Sequence, residues 1–446
     1  MTDSTVLTTD GKGANQMRIL YYAFSCAPCA GSDEGLGWLW PFYMRNEHEV
    51  FVVTRKDRKP RIERYLKDQK ITNMHFFYCD IPDWMNFYYK TGKGFLAYQK
   101  LWQYPAYGMI KKLHKKYQFD LIHHVSTTDF RLIGFVYKLD THYILGPLGG
   151  AQQTPAYLRD YTKNNSREEK MRALINRFTV LSPGYKKAIN KADYIFLANK
   201  ETYQYIYPYI KEKERCRLLL DIAIDKDRIL PGKDAGKQKT DQKTDQKTDP
   251  ITDQDKVMTF IWSGRMVYRK GLAFLLDALD CIDRKLPYKV VLCGDGPEMK
   301  HLKELSREKK LDGHISFTGQ LTYEKMQENY ENADVFVFPS LRETSGTVLV
   351  EAMAHRLPVI ALNQGGAALM ISEKEGFLVS GKSRRECVER MADTIRYCIG
   401  HPQMVMEKGI QAQKKLALGY TWDKKIFYMK EIYKNIRCDE GSGNGF

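Results

Sequence analysis

Val335-Phe336-Val337-Phe338-Pro339-Ser340, followed by Arg342-Glu343-Thr344-Ser345-Gly346-Thr347-Val348-Leu349-Val350-Glu351, is the stretch that decides the fold. The first four residues are a short apolar run closed by proline, which reads as a buried strand. Thr347 to His355 is apolar at helical spacing until Leu357-Pro358 stops it. Strand, glycine-containing turn and helix in that order form the building unit of an α/β sheet. In such a unit the N–H groups of Ser345, Gly346, Thr347 and Val348 lie at the helix N-terminus. Unpaired donors and the positive dipole end bind phosphate oxygens there, and Gly346 lets the backbone come close.

Glu343 and Glu351 need separate tasks. On one continuous helix they would sit about 12 Å apart along the axis and about 80° apart around it, whereas a glycosidase pair needs about 5–10 Å. Hydrolysis by this pair is therefore disfavoured. With Glu343 in the loop and Glu351 in the helix, one carboxylate can accept hydrogen bonds from sugar hydroxyls and the other from ribose hydroxyls, with a pyrophosphate between them. The plain alternative is a loop glutamate and a helix glutamate in a surface salt bridge.

Two upstream junctions favour the sugar-nucleotide reading. Phe260-Ile261-Trp262-Ser263 is a strand-like run that opens into Gly264-Arg265 and then Arg269-Lys270-Gly271, before a helical pattern from Leu272 to Leu279. Cations at the positive end of a helix oppose its dipole and need an anion to justify them, so Arg265 and Lys270 are expected to clamp phosphate. Val290-Val291-Leu292-Cys293 runs likewise into Gly294-Asp295-Gly296-Pro297.

In order and spacing, Gly264-Arg265 with Lys270-Gly271, Gly294-Asp295-Gly296-Pro297, and Glu343 with Glu351-Ala352-Met353-Ala354 resemble the donor half of family 4 retaining glycosyltransferases. The resemblance implies the GT-B fold, two Rossmann-like doubly wound α/β domains facing a central cleft. It also implies that Glu343 holds the donor sugar, Glu351 the ribose, and Arg265 and Lys270 the diphosphate. Phe317-Thr318-Gly319-Gln320-Leu321 resembles the segment whose backbone meets the nucleobase, which adds Gln320 and Leu321. Ser345 stands where the family carries an aromatic residue, and Leu369, after Gly365-Gly366, where it carries an acid.

The amino-terminal half is similar to the same family's surface-polysaccharide enzymes. Arg18-Ile19-Leu20-Tyr21-Tyr22 reads as a first strand, and Gly31-Ser32-Asp33-Glu34-Gly35-Leu36-Gly37-Trp38 as a glycine loop opening a helix, with Gly35 and Gly37 expected near the donor. His123-His124-Val125 and Gly146-Pro147-Leu148-Gly149-Gly150 complete the resemblance. The two histidines follow the strand-like Phe119-Asp120-Leu121-Ile122, at a sheet edge where open α/β sheets bind ligands. Adjacent strand residues point to opposite faces, so one of the pair is a core histidine. His124 is the expected catalytic one, His123 the alternative.

Cys26-Ala27-Pro28-Cys29 has the spacing of a redox pair, but Ala30 to Gly35 interposes a loop before any helix, and a redox pair opens its helix. Nine cysteines among 446 residues, with no other close pair, fit a reducing compartment and leave no zinc ligand set. Met1 to Gln16 is polar, and no run of 18 apolar residues occurs. The expectation is a cytoplasmic protein. Its length allows two domains: 17–225 binding acceptor, 257–405 binding donor, and a helix at 406–437 carrying Trp422, Ile426, Phe427, Ile432, Tyr433 and Ile436 back to the first domain. Between them, 226–256 is a flexible low-complexity linker in which Thr-Asp-Gln-Lys repeats at 240–243 and 244–247. The hinge is expected at Leu218 to Ile224.

The net charge of +16 is unevenly spread. Trp84 to Gln118 holds seven lysines, no Asp or Glu, and ten aromatic residues, among them Phe87, Tyr88, Tyr89, Tyr98, Trp102 and Tyr107. That mixture suits an anionic membrane surface, or else a packed aromatic helix with a wet lysine face. Single-stranded nucleic acid would use the same ingredients, but no nucleic-acid motif accompanies them. The expected partners are a nucleotide-sugar, a lipid-linked or glycan acceptor and the inner face of the cell membrane, with no metal and no cofactor beyond the donor. The alternatives are a GT-B phosphorylase, an epimerase, or a non-catalytic nucleotide-sugar or lipid-binding protein.

Overall fold

The computed structural model describes residues 16–85, 94–230 and 257–441. Most of the low-complexity segment, Phe87 to Tyr89 and the first fifteen residues lie outside them. Largely apolar runs of three to seven residues become parallel strands, most of them covered on both faces, as their near-continuous hydrophobicity requires. The first sheet takes β1 (Arg18–Ala23), β2 (Glu49–Arg55), β3 (Met74–Cys79), β4 (Leu121–Ser126), β5 (His142–Leu148), β6 (Tyr194–Leu197) and β7 (Cys216–Leu218) in the order β3-β2-β1-β4-β5-β6-β7. The second takes β8 (Met258–Ser263), β9 (Tyr288–Cys293), β10 (Ile315–Gly319), β11 (Val335–Phe338), β12 (Val359–Leu362) and β13 (Gly376–Val379) in the order β10-β9-β8-β11-β12-β13. Every ladder is parallel. Both sheets thus reverse direction between their first and fourth strands, and such a switch point leaves a crevice at the strands' carboxyl ends.

The crossing between domains explains the run Leu218-Leu219-Leu220-Asp221-Ile222-Ala223-Ile224. Leu220, Ile222 and Ile224 pack into the second domain's core, whereas Leu219 and Ala223 pack into the first domain's. An extended segment has a side-chain period of two, so one strand-like stretch serves both cores at once. The chain returns beside it: Ile224 N donates to Tyr420 O at 3.0 Å and Trp422 N to Ile224 O at 3.0 Å.

The helices that matter for the site are α1 (Ser32–Met44), α2 (Phe95–Tyr117), α3 (Ser166–Leu181), α4 (Leu272–Asp280), α5 (Thr347–Ala354) and α6 (Trp422–Gly441). α6 lies on the first domain, where Trp422 meets Trp40 edge to face and Ile426, Met429, Ile432, Tyr433 and Ile436 are buried. Met429 occupies the inner position expected of Phe427, which is 67% exposed.

α2 corrects the reading of Tyr98 and Trp102 as surface anchors, whereas its Phe95 and Tyr104 are exposed. Tyr98 and Trp102 are buried against Phe24 and Tyr22, and the Trp102 indole donates to Cys79 O at 2.9 Å. Their spacing of four puts both on the inner face of one helix, while Lys111, Lys112, Lys115 and Lys116 remain exposed.

Candidate active site

The two switch points face each other across a cavity of ≈ 890 Å³. Its walls come from the loops after four strands: Gly31, Asp33 and Leu36 after β1; Thr127, Thr128 and Asp129 after β4; Arg265, Arg269 and Lys270 after β8; and Arg342 to Val348 after β11. Local sequence builds each loop, and the paired sheet topologies bring the four together.

The second domain supplies the half expected to bind phosphate. Gly264 N donates to Cys293 O at 3.0 Å and Gly294 N to Gly319 O at 2.9 Å, which ties the ends of three strands together. A Cβ on Gly294, whose φ is +134°, would lie 1.9 Å from Gly264 O, so a side chain there would push apart the turn that carries Arg265. Arg265 is exposed on the cavity wall. Lys270 and Arg269 both donate to Oε2 of Glu343, Arg269 at 2.8 Å. Burial would raise the Glu343 carboxyl, but the Lys270 and Arg269 charges outweigh it and hold the group below its usual value. Glu343 is therefore ionised, and it holds two cations on the cavity wall that also carries the N-terminus of α5. Gly346 caps that helix with φ +92°, and Ser345, Gly346, Thr347 and Val348 line the cavity beside it.

Glu351 also lines the cavity and accepts a hydrogen bond from Tyr330 Oη at 3.1 Å. Burial raises its pKa. A carboxyl held this way can accept from a diol when ionised. The double glycine Gly365-Gly366 serves packing: a Cβ on Gly365 would sit 2.4 Å from Glu343 O, and one on Gly366 2.4 Å from Ser345 Cα. These glycines let the 343–345 loop lie flat against the strand end behind it.

The first domain contributes acids and arginines that motif reading missed. Asp33 lies at the N-terminus of α1. Burial, then repulsion from Asp221, Asp129 and Glu343, pushes its pKa up to about 6 against a 3.4 Å hydrogen bond from Thr128. Asp221, in the interdomain crossing, is buried and accepts from Ser345 Oγ. Lys425 of α6 donates to Ile222 O at 2.7 Å and to Leu220 O, and burial lowers its pKa to about 7. Arg131 forms a fork with Asp129, its Nε lying 2.8 Å from Oδ1 and 3.0 Å from Oδ2. Arg172 of α3 reaches the backbone oxygens of Gln152, at 2.8 Å, and Gly150. Of these, Asp33 lay inside the glycine loop and Asp221 inside the expected hinge, neither read as a site residue. The others are brought in by strand ends and helices far away in sequence.

Several expected site residues lie elsewhere. His124 is 1% exposed and does not reach the cavity; its ring meets Tyr22 edge to face at 4.6 Å, and burial lowers its pKa to about 4. His123 points to the opposite face, where its ring nitrogens lie 2.6 Å from Tyr433 Oη and 2.9 Å from Gly146 O. Both histidines are thus packed within β4, and the cavity is reached only three residues later, at Thr127. Gly35 and Gly37 do not touch the cavity either: a Cβ on them would lie 2.3 Å from Ala30 O and 1.9 Å from Ser25 O. They permit α1 to pack against its own preceding loop. Gln320 is exposed beyond β10, and Leu321 packs against the core beneath α5.

Two α/β domains with a cavity between facing switch points make this a GT-B fold. Likeness to solved structures agrees. Sucrose-phosphate synthase from Thermosynechococcus elongatus superposes with a TM-score of 0.63 at 18% identity, over 95% of this chain and all of that one. Anabaena HepE, crystallised with UDP-glucose, superposes with a TM-score of 0.61 at 17% identity, over 94% of this chain and 99% of that one. Residues 241–399 match the family model described as glycosyl transferases group 1. Among curated proteins, the chain is similar to the GDP-mannose-dependent alpha-(1-6)-phosphatidylinositol monomannoside mannosyltransferase of Mycobacterium tuberculosis, with 30% identity over 174 residues, 37% of this chain and 44% of that protein. The chain spans less than half the length of the curated relatives of this kind.

Proposed function

We propose that the chain is a retaining glycosyltransferase of the family 4 type. It moves a sugar from a nucleotide-sugar to a hydroxyl of a lipid-linked glycan in surface-polysaccharide synthesis, at the inner face of the cell membrane. The observation that carries the reading is the convergence on one cavity wall of Arg265, Lys270, Glu343, Glu351 and the N-terminus of α5. Support for the donor comes from the UDP-glucose bound by the similarly folded HepE. Support for a lipid acceptor comes from the phosphatidylinositol mannoside named for the mycobacterial relative.

In this reading the diphosphate lies among Arg265, Lys270 and the first turn of α5, which stabilise the charge that develops as it leaves. Glu343 binds hydroxyls of the donor sugar and Glu351 those of the ribose. The C1–O bond to the diphosphate breaks while the acceptor oxygen bonds C1 on the same face. The acceptor proton passes to a phosphate oxygen of the leaving diphosphate. Configuration is retained without a protein nucleophile, and neither a metal nor a further cofactor takes part. His124 has no step in this chemistry.

The test is a panel of nucleotide-sugars incubated with the protein and lipid-linked glycan acceptors, with the new anomeric bond read by NMR. One donor should be consumed with retention and without loss of rate in EDTA. Inverted product, or turnover that requires phosphate or proceeds without acceptor, would assign the cavity to other chemistry.

A further inference from the structure

Large exposed apolar side chains gather on one side of the first domain. Met171, Leu174, Phe178 and Leu181 are 57%, 49%, 67% and 47% exposed. Their spacing of three, four and three places them in one stripe along α3. A water-facing apolar stripe of this kind is the reverse of what a surface helix ordinarily presents, and such patches mark binding surfaces. Leu101 and Tyr104 of α2, 37% and 64% exposed, add to it.

Between α2 and α3 runs a groove of ≈ 390 Å³, walled by Phe135, Ile175 and Phe178 and by the longer side chains Lys100, Gln103 and Arg131. The groove joins the catalytic cavity. Arg131 lines both, and α2 passes from one to the other, with Phe95, Leu96 and Gln99 on the cavity and Lys100 and Gln103 on the groove. At the junction Arg131 is paired with Asp129 and Arg342 with Glu169, so the charge left over there is that of Arg172 and Lys100. Arg172 stands behind Arg131, and its pKa is lowered to about 10 by burial and then by the neighbouring Arg342 and Arg131 charges. The path thus runs from an apolar stripe, through a cationic neck, to a polar cavity. Only a ligand with an apolar chain, an anionic link and a polar head matches all three in that order.

We propose that the groove between α2 and α3 is the acceptor's lipid site, in which a phosphate-linked lipid lays its apolar chain against Phe178, Ile175 and Phe135 and its phosphate at Lys100, beside the Arg131–Asp129 pair. The head sugar of the acceptor then extends into the cavity toward the donor. This rests on the glycosyl-transfer reading above and adds to it the class of acceptor and its place. The stripe on α3 is the part that meets the membrane from which the lipid is drawn, and the phosphate contact selects lipids carrying an anionic link over neutral ones.

The experiment is calorimetric titration of the full chain with farnesyl phosphate, farnesol and inorganic phosphate, each below its aggregation limit. The variants are Leu174→Ser with Phe178→Ser, and Lys100→Gln, whose side chains are exposed and whose loss leaves the core untouched. Farnesyl phosphate should bind at least about tenfold more tightly than either half-ligand. The double serine variant should lose about tenfold for it while binding a nucleoside diphosphate as the wild type does. Lys100→Gln should weaken farnesyl phosphate and leave farnesol unchanged. Equal affinity for farnesol and farnesyl phosphate, or an unaffected double variant, overturns the proposal. So does association with anionic vesicles alone, which would make the stripe a membrane contact without a lipid site. If nucleotide-sugars are bound and consumed while farnesyl phosphate is ignored, the groove falls and glycosyl transfer stands. If farnesyl phosphate binds but no nucleotide-sugar does, the reverse holds.

Discussion

Thr344 of the second domain presses against Gly149 of the first so closely that a Cβ on Gly149 would lie 2.2 Å from Thr344 Cγ2. The same threonine accepts from Gln152 Nε2 at its hydroxyl, at 2.7 Å, and from Asn199 Nδ2 at its carbonyl, at 3.2 Å. Thr344 follows Glu343 directly, so this contact sets where the donor-side carboxylate stands relative to the first domain. Gly149→Ala should force the domains apart at this point. An overpacked contact costs about 1–3 kcal/mol, and displacing catalytic groups by about 1 Å can cost about a hundredfold in rate. Transfer should fall at least about tenfold on that ground, with nucleotide binding retained. Thr344→Ser, which removes Cγ2 and keeps the hydroxyl, should restore much of the loss in the double variant. A kinetic double-mutant cycle measures this, and simple additivity would sink the idea.

In the proposed reaction Arg265→Ala and Lys270→Ala each remove a charge near the leaving diphosphate and should lower turnover about a hundredfold or more, with melting temperatures close to the wild type. Arg265 is exposed, and in Lys270→Ala the Glu343 carboxylate keeps Arg269 at 2.8 Å. Steady-state kinetics with the cognate donor and thermal melts decide it. Undiminished transfer in both variants would reject the clamp.

Glu343→Gln keeps the shape of the side chain and removes the charge that holds Lys270 and Arg269, and with it one of two strong acceptor oxygens. Activity should be largely lost. The Glu343 carboxyl is held below its ordinary value of 4.5, so its contribution to stability is present above that value and is lost as pH falls through the lower folded-state value. The melting-temperature difference between wild type and Glu343→Gln should therefore shrink on acidification below about pH 4.5. A wild-type rate in the variant would make Glu343 a bystander.

Asp33 lines the cavity with its pKa pushed up to about 6, and a carboxyl accepts hydrogen bonds with full charge only when ionised. Transfer should decline as pH drops through 6, because the fraction of ionised Asp33 falls there. Asp33→Asn should slow the reaction and abolish that acid limb. The kcat/KM profile between about pH 5 and 8 reads both effects, and an acid limb of unchanged position in Asp33→Asn would assign it to another group.

Lys111, Lys112, Lys115 and Lys116 are exposed on α2. Each can contribute about 1 kcal/mol at an anionic surface. Changing all four to Gln should remove on the order of 4 kcal/mol at most, and should spare donor binding in the other domain. Sedimentation with anionic and neutral vesicles at two salt concentrations measures it. Equal binding to both vesicle types, or no loss in the quadruple variant, would return these lysines to an ordinary wet helix face.

Local pattern alone determined the strand, turn and helix units of the second domain, and with them Arg265, Lys270, Glu343, Ser345 to Val348 and Glu351. All of these sit in the loop after a strand or in the helix that follows it, where a short apolar run and a glycine announce the geometry and the switch point of a parallel sheet supplies the cavity. Tertiary structure alone decided the rest. Nothing in two adjacent histidines reveals that β4 is packed on both faces, so that the cavity begins at Thr127. Gly35 and Gly37 read as glycines of a binding loop, yet each answers to a backbone oxygen that comes close only after folding, as Gly149 answers to Thr344 and Gly365 to Glu343. Arg269 shares its segment with Lys270 but becomes a partner of Glu343 through a contact 74 positions away. Asp221 reaches Ser345 across 124 positions, and Lys425 reaches Ile222 across 203. Periodicity reports which face of an element is buried. It carries no information about which distant element covers that face, and the charge balance of a cavity between two domains is set by that second fact.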